Sequence, residues 1–197
     1  MRVLQFSGGL DSLVCLHLTQ HTPDMVVLTA STDGAYPERA VYLQAVEAAF
    51  PDLKFIHITT HRALDVYGYP VDVVPLRYTA LGALIHGERR PRYQDAYSCC
   101  HRAIWEPLDR ETRLLGATTV IRGQRADDRM RAPVKDGQTV DGLTYCLPIE
   151  GWTRLQVQRY ADKHLPDLVP ASYSQGEKTS RDCLDCTAYL RDNRVRM

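Results

Sequence analysis

Ser7-Gly8-Gly9-Leu10-Asp11-Ser12 follows an apolar run, Met1–Phe6, and leads into Asp11–Thr19, a stretch of helical character. Apolar residues fall on both faces of the first run, which predicts a buried strand of a parallel sheet. Two successive glycines after such a strand let the backbone turn sharply and approach a ligand with no Cβ in the way. The helix starts at the same place, so its N–H groups and the positive end of its dipole converge on one point. Ser7 and Ser12 add hydroxyl donors. A turn of this kind suits pyrophosphate. It is neither a Walker A loop, which ends in Lys-Ser/Thr, nor the Gly-x-Gly-x-x-Gly dinucleotide fingerprint, which needs a third glycine.

The same alternation continues. Met25–Ala30 reads as a second buried strand, Pro37–Phe50 as a helix with proline at its start and Glu38 in its first turn, and Lys54–Thr60 as a third strand. Strand and helix in alternation predict an α/β fold, a Rossmann-like doubly wound parallel sheet. Further on, the patterns predict a helix over Val71–His86, a loop over Gly87–Ser98, a helix from about Cys100 to Leu115 and a strand over Thr118–Arg122. A polar loop rich in Arg and Asp follows over Gly123–Gly137, then a strand over Leu143–Ile149 and a helix over Trp152–His164. Repeats, low-complexity stretches and linkers are absent, so residues 1–197 are expected to form one domain.

Lys and Arg number 24, as do Asp and Glu, so the formal net charge is zero and any anion site must be local. Arg122, Arg125, Arg129 and Arg131 crowd one stretch, and guanidinium forks match phosphate or sulfate oxygens two at a time. No leader-like segment opens the chain and no apolar run is long enough to span a bilayer, so a cytoplasmic protein is expected. There the cysteines stay reduced, and spaced pairs point to metal or redox chemistry before disulfides. Cys99-Cys100 and Cys183-x-x-Cys186 are such pairs. Four thiolates from two distant segments suit either tetrahedral Zn²⁺ or a [4Fe–4S] cubane. Cys15, beside Leu16 on the first helix, and Cys146, in an apolar strand, read as core residues. The histidines show no zinc spacing, and Asp33 and Glu38 are candidates for ribose or metal.

The loop resembles the Ser-Gly-Gly-x-Asp-Ser motif of the PP-loop ATP-pyrophosphatase superfamily, whose members split ATP between the α and β phosphates. Cys99-Cys100 with Cys183-x-x-Cys186 resembles the cluster pattern of the iron–sulfur adenylylsulfate reductases, within the phosphoadenylylsulfate (PAPS) reductase family. Asp33 with Pro37-Glu38 is similar to that family's Asp-Thr-Gly…Pro-Glu-Thr stretch, Gly123-Gln124-Arg125 to its Thr-Gly-x-Arg segment, and Arg131 to its later arginine. Pro148 through Trp152-Thr153 resembles its Pro-x-x-x-Trp-Thr, and Gly176 through Cys186-Thr187 its terminal Gly…Cys-x-x-Cys-Thr.

The resemblance implies the adenine nucleotide alpha-hydrolase-like variant of the fold. It further implies ATP with Mg²⁺ held by Ser7, Gly8, Gly9, Asp11, Ser12, Asp33, Gly123, Arg125 and Arg131, with Asp11 and Arg125 in the chemistry. Cys99, Cys100, Cys183 and Cys186 would bind a [4Fe–4S] cluster, with zinc the alternative, the last two supplied by the segment 165–197. Two departures matter. The reductases carry a nucleophilic cysteine in a Glu-Cys-Gly-like tail, and this sequence runs to Met197 without one; their loop is generally degenerate, and here it is complete. The expectation is therefore ATP-dependent activation in sulfur transfer to a nucleic acid or small acceptor, with a divergent sulfonucleotide reductase and a non-catalytic nucleotide- and cluster-binding subunit as alternatives. A sulfur donor or reductant protein is the expected partner, no membrane is, and oligomerisation stays open.

Overall fold

The computed structural model describes residues 1–70, 80–86, 93–128, 131–170 and 183. In chain order its elements are β1 (Arg2–Gln5), α1 (Leu10–Thr19), β2 (Met25–Thr32), α2 (Pro37–Ala49), β3 (Lys54–Thr60), α3 (Ala63–Tyr67) and β4 (Tyr69–Pro70). Then come α4 (Ala80–His86), β5 (Tyr93–Gln94), α5 (Ala96–Cys100), a π-helical turn over His101–Trp105, α6 (Glu106–Leu114) and β6 (Thr119–Ile121). β7 (Thr139–Val140), β8 (Leu143–Cys146), α7 (Arg154–His164) and a 3₁₀ turn over Pro166–Leu168 complete it.

Six strands form one sheet in the order β3-β2-β1-β6-β8-β7. All neighbours pair parallel except β7, which closes the edge antiparallel to β8. Successive residues of β1 and β2 serve opposite faces. Leu4 and Val27 join Leu13, Val46, Ile121 and Val157 in one apolar cluster, whereas Val3 and Leu28 join Ala103, Ile104 and Leu108 in another. α1, α2 and α7 thus cover one face and α5 through α6 the other, which is why these strands are apolar throughout. The expected doubly wound α/β sheet is present, with one antiparallel edge strand added. No helix among the described residues is long and apolar enough to cross a membrane.

Several boundaries differ from the sequence pattern. Of the helix expected over Val71–His86, the described part is α4, and residues 71–79 lie outside the described set. The loop expected over Gly87–Ser98 contains β5 and the start of α5, where the Asp95 carboxylate accepts from the Ser98 N–H at 2.8 Å and caps the helix. The single helix expected over Cys100–Leu115 is interrupted by the π-helical turn. Pro107 gives the reason: it has no N–H to donate, and its ring crowds the carbonyl four residues earlier, so regular α geometry cannot run through Ala103. At the start of α7 Thr153 and Gln156 make a reciprocal capping box.

Beneath the sheet's carboxyl edge a polar network joins three elements. Gln5 Nε2 donates to Asp109 Oδ1 at 2.9 Å and to Thr112 Oγ1 at 3.0 Å, and Arg122 Nε donates to Gln5 Oε1 at 2.7 Å. Arg122 also forms an ion pair with Asp109, and its guanidinium lies 5.4 Å from the Tyr145 ring centroid. Removing Asp109 takes the carboxylate partner from a mostly buried Arg122 and one acceptor from Gln5. Asp109→Ala is expected to lower stability by about 2 kcal/mol in urea unfolding, against less than about 0.5 kcal/mol for an isolated surface carboxylate.

Candidate functional site

From β1 the chain builds outward to β2 and β3, then returns to place β6 on the other side of β1. The carboxyl ends of β1 and β6 therefore flank the topological switch point, where open α/β sheets form their ligand crevice. Ser7–Gly9 leaves β1 there and Arg122–Arg125 leaves β6 there.

Gly8 holds φ +76, the left-handed region that favours glycine, and Gly9 caps α1. Ser12 Oγ donates to the Gly9 carbonyl at 2.8 Å, Ser7 Oγ lies 3.2 Å from Ser12 Oγ, and the Gly9 N–H donates to Ser7 Oγ at 3.3 Å. The two hydroxyls thus brace the turn itself. Helix geometry leaves the Asp11 and Ser12 amides without an acceptor inside α1, so they face the crevice end of the helix. Arg39 is a residue that sequence reasoning missed. It is buried on the first turn of α2, and its guanidinium donates to the Ser7 carbonyl at 2.7 Å, the Ala30 carbonyl at 2.9 Å and Ser31 Oγ at 3.1 Å. An arginine beside Glu38 at a helix start reads as solvated, and no local signal marks it as buried.

From the β6 side, Gly123 packs against α1 so closely that a Cβ there would lie 2.7 Å from the Asp11 carbonyl carbon and the Ser12 nitrogen. This approach brings Arg125, 8% exposed, over the helix start. Its Nε lies 3.0 Å from Asp11 Oδ1, its Nη2 2.7 Å from Asp128 Oδ1 and its Nη1 3.4 Å from Asp127 Oδ1. The Asp128 carboxylate also accepts from the Arg125 backbone N–H at 3.0 Å. Nε and Nη1 are buried and charge-paired, yet neither makes a well-directed hydrogen bond. Burial works against the Arg125 charge, but the carboxylates of Asp11, Asp128 and Asp127 outweigh it and hold the guanidinium more firmly protonated. The Asp11 carboxyl is pushed up to about 6, chiefly by burial, with Asp128 and Asp127 adding to the rise and Arg125 and Arg154 opposing it. Gln124 is buried too: its amide donates to the Ala132 carbonyl and accepts from the Ala132 N–H, tying down the polar loop.

The remaining expected residues divide. Asp33 ends up at the carboxyl edge but exposed, with His61 Nδ1 at 3.1 Å and the Arg62 N–H donating to it at 3.1 Å, and the His61 hydrogen bond holds its carboxyl below the usual range. None of these partners belongs to the Ser7–Ser12 loop. Arg131 is exposed and donates to the Ala126 carbonyl at 3.0 Å within its own loop. Arg122, grouped by sequence with a phosphate-gripping cluster, is tied to Asp109 and Gln5 instead, and Arg129 lies outside the described residues.

Cys99 and Cys183 each have a neighbour in β2 or its cluster. Cys99 belongs to the buried cluster that includes Ala30 and Ala63, and Cys183 Sγ lies 3.5 Å from Thr32 Oγ1. Cys100 is partly exposed, and Cys186 lies outside the described residues. Among the described residues no three metal-ligating side chains converge. Burial pushes the Cys15 thiol far up and the Cys146 thiol up as well, so neither offers a thiolate at neutral pH.

A family profile described as phosphoadenosine phosphosulfate reductase domain matches residues 2–176. No curated protein sequence matches the chain. Among solved structures, the PAPS reductase of Candida auris in its phosphate complex is similar at TM-score 0.58 and 20% identity, over 92% of this chain and 80% of that one. The NMN synthetase of Francisella tularensis is similar at TM-score 0.57 and 16% identity, over 96% of this chain and 71% of that one. The NH3-dependent NAD synthetase of Campylobacter jejuni, in complex with nitrate, gives TM-score 0.50 and 15% identity, over 89% of this chain and 71% of that one. At these identities the likeness is one of fold.

Asp11 generates a signed expectation. Its folded-state pKa lies above the ordinary 3.8, so ionising it costs stability, lost as pH rises from about 4 to about 6. Asp11→Asn is expected to raise stability at pH 7 by about 2 kcal/mol and to flatten the stability profile between those pH values, measured by urea unfolding across pH. A destabilised variant at pH 7 would show that its pairing with Arg125 dominates.

Proposed function

The chain belongs to the phosphoadenosine phosphosulfate reductase domain family, and we propose that it is an ATP-dependent PP-loop enzyme that adenylates an acceptor in a sulfur-transfer reaction. One observation carries this reading: the complete Ser7–Ser12 loop lies at the switch point with Arg125 positioned over the first turn of α1. In the proposed step an acceptor oxygen attacks the α-phosphorus in line. The new P–O bond forms as the bond to the bridging oxygen between the α and β phosphates breaks, and pyrophosphate departs with that electron pair. Amides of the loop and the Arg125 guanidinium face the charge that grows on the departing group. Asp11 fits a magnesium ligand, because a carboxylate raised by burial and by Asp127 and Asp128 is relieved by a divalent cation. Mg²⁺, when bound there, would neutralise phosphate oxygens. Gly123 contributes proximity, and Arg131 and Asp33 are proposed for the outer phosphate and the ribose. The acceptor is a nucleic acid or a small molecule, and a separate protein supplies sulfur.

The family match favours a second reading, a sulfonucleotide reductase acting on adenylylsulfate or PAPS. Since Cys15 and Cys146 hold their protons, the attacking thiol would come from a reductant protein. With pure protein, Mg²⁺ and candidate acceptors, the first reading expects pyrophosphate and an adenylated acceptor from ATP, with AMP released once a sulfur donor is added, and Arg125→Met is expected to lower kcat/KM by about 10² to 10³. Sulfite release from adenylylsulfate with thioredoxin would select the reductase. Tight nucleotide binding with no turnover would point to a non-catalytic subunit.

Residues 1–197 are proposed to work as one domain, with the segment 165–197 carrying Cys183 and Cys186 to a [4Fe–4S] cluster shared with Cys99 and Cys100. Its support is that Cys99 packs in the apolar cluster containing Ala30 of β2, and that Cys183 Sγ lies 3.5 Å from Thr32 Oγ1 of the same strand. Protein purified without oxygen is expected to be brown with about four irons and four sulfides per chain. A colourless protein holding stoichiometric zinc would overturn the cluster in favour of a thiolate zinc site.

A further inference from the structure

We infer that Arg39 is a positioning residue of the phosphate loop: by holding the Ser7 carbonyl it fixes the orientation of the Ser7–Gly8 peptide, so that the Gly8 N–H faces away from α2 and toward an incoming anion. The inference rests on the proposed phosphate-binding role of the loop and adds a residue to it.

The loop's glycines leave its peptide planes free to turn over. A peptide plane between a serine and a glycine at φ +76 can rotate to the opposite orientation at little steric cost, because glycine occupies both halves of φ space. The two orientations are opposite in their effect on an anion. One presents an N–H and the other a carbonyl oxygen, since the two groups of a trans peptide point in opposite directions. A glycine-rich phosphate loop therefore needs something outside itself to choose the orientation. No cis peptide occurs among the described residues, so holding the Ser7 carbonyl on one side sets the Gly8 N–H on the other.

Arg39 is built to do this. Its Nη1 donates to the Ser7 carbonyl at 2.7 Å, shorter than the guanidinium's bonds to Ala30 and Ser31, and a charged donor makes a stronger bond than a neutral one. The other two contacts, from Nη2 to the Ala30 carbonyl and from Nε to Ser31 Oγ, fasten the guanidinium to β2, so the fork cannot follow the loop if it moves. The group is buried, and it fills the space behind Gly8: a Cβ added there would lie 3.0 Å from Nη1. Glycine at position 8 and arginine at position 39 are thus one device, the first supplying the turn and the second selecting its polarity. In the stretch that resembles the family's Pro-Glu-Thr, this chain has Arg39 where the pattern has threonine, whose short hydroxyl carries neither the reach nor the charge of a guanidinium.

The test compares Arg39→Lys and Arg39→Met with the full-length parent, by calorimetric binding of Mg²⁺-pyrophosphate and Mg²⁺-ATP and by the ¹⁵N–¹H signal of Gly8. Arg39→Met is expected to weaken both ligands by about 10- to 100-fold, while Arg39→Lys, a single-point donor, falls between it and the parent. The Gly8 amide signal should shift or broaden in both variants, with the unfolding midpoint of Arg39→Lys close to that of the parent. Adding guanidinium ion to Arg39→Ala should restore part of the pyrophosphate affinity, which a merely structural role would not predict. Folded variants that bind pyrophosphate as the parent does would overturn the positioning role while leaving the proposed function standing. Loss of folding in both Lys and Met variants would assign Arg39 to the core and overturn it as well. A parent protein that binds neither pyrophosphate nor ATP would instead sink the phosphate-loop reading, and the role of Arg39 with it.

Discussion

The absence of a side chain at position 123 is what allows the two halves of the sheet to share one crevice. Even a methyl group there would stand 2.7 Å from the backbone of Asp11 and Ser12, closer than real contacts permit. With hydrogen in its place, the segment leaving β6 lies directly against the first turn of α1. Arg125, two residues later, then reaches Asp11 from above. Burial of both groups follows from the same approach, and with it the raised carboxyl of Asp11. Sheet topology supplies the switch point; Gly123 makes it narrow enough for a single guanidinium to face a helix end.

Two arginines leaving β6 have opposite assignments, and their neighbours decide which. Arg122 points into the network of Gln5 and Asp109, where its charge is spent on joining α6 to the sheet. Arg125 meets carboxylates that belong to the crevice or to its own loop. Arg39, far away in sequence, grips the Ser7 carbonyl of the Ser7–Ser12 loop from α2. Cations thus work at three depths in a chain whose net charge is zero, so its electrostatics are local.

Much of this was legible in the residues. The order β1, loop, α1, β2, α2, β3 follows from apolar runs, two glycines and Pro37, all signals that act within a few residues. Arg125 and Gly123 were singled out by their resemblance to a family segment, and the geometry brings both to the loop. Other features depend on partners far along the chain and leave no local trace. The Arg122 pairing requires Asp109, and the burial of Arg39 requires the carbonyls of Ser7 and Ala30. The π-helical turn needed Pro107 to be weighed against a helix that otherwise reads as continuous. The small pairing of β4 with β5 rests on two residues from each strand, too short for any periodicity to register.

Arg125 is already surrounded by negative charge before any ligand arrives. An anion entering the crevice must therefore compete for an occupied guanidinium, and its binding is an exchange of partners. Three carboxylates set a threshold: a weakly charged ion gains little by displacing them, whereas a densely charged one that brings its own divalent cation gives the released carboxylates somewhere to go. On the proposed reading, the crevice discriminates by charge density before shape is read.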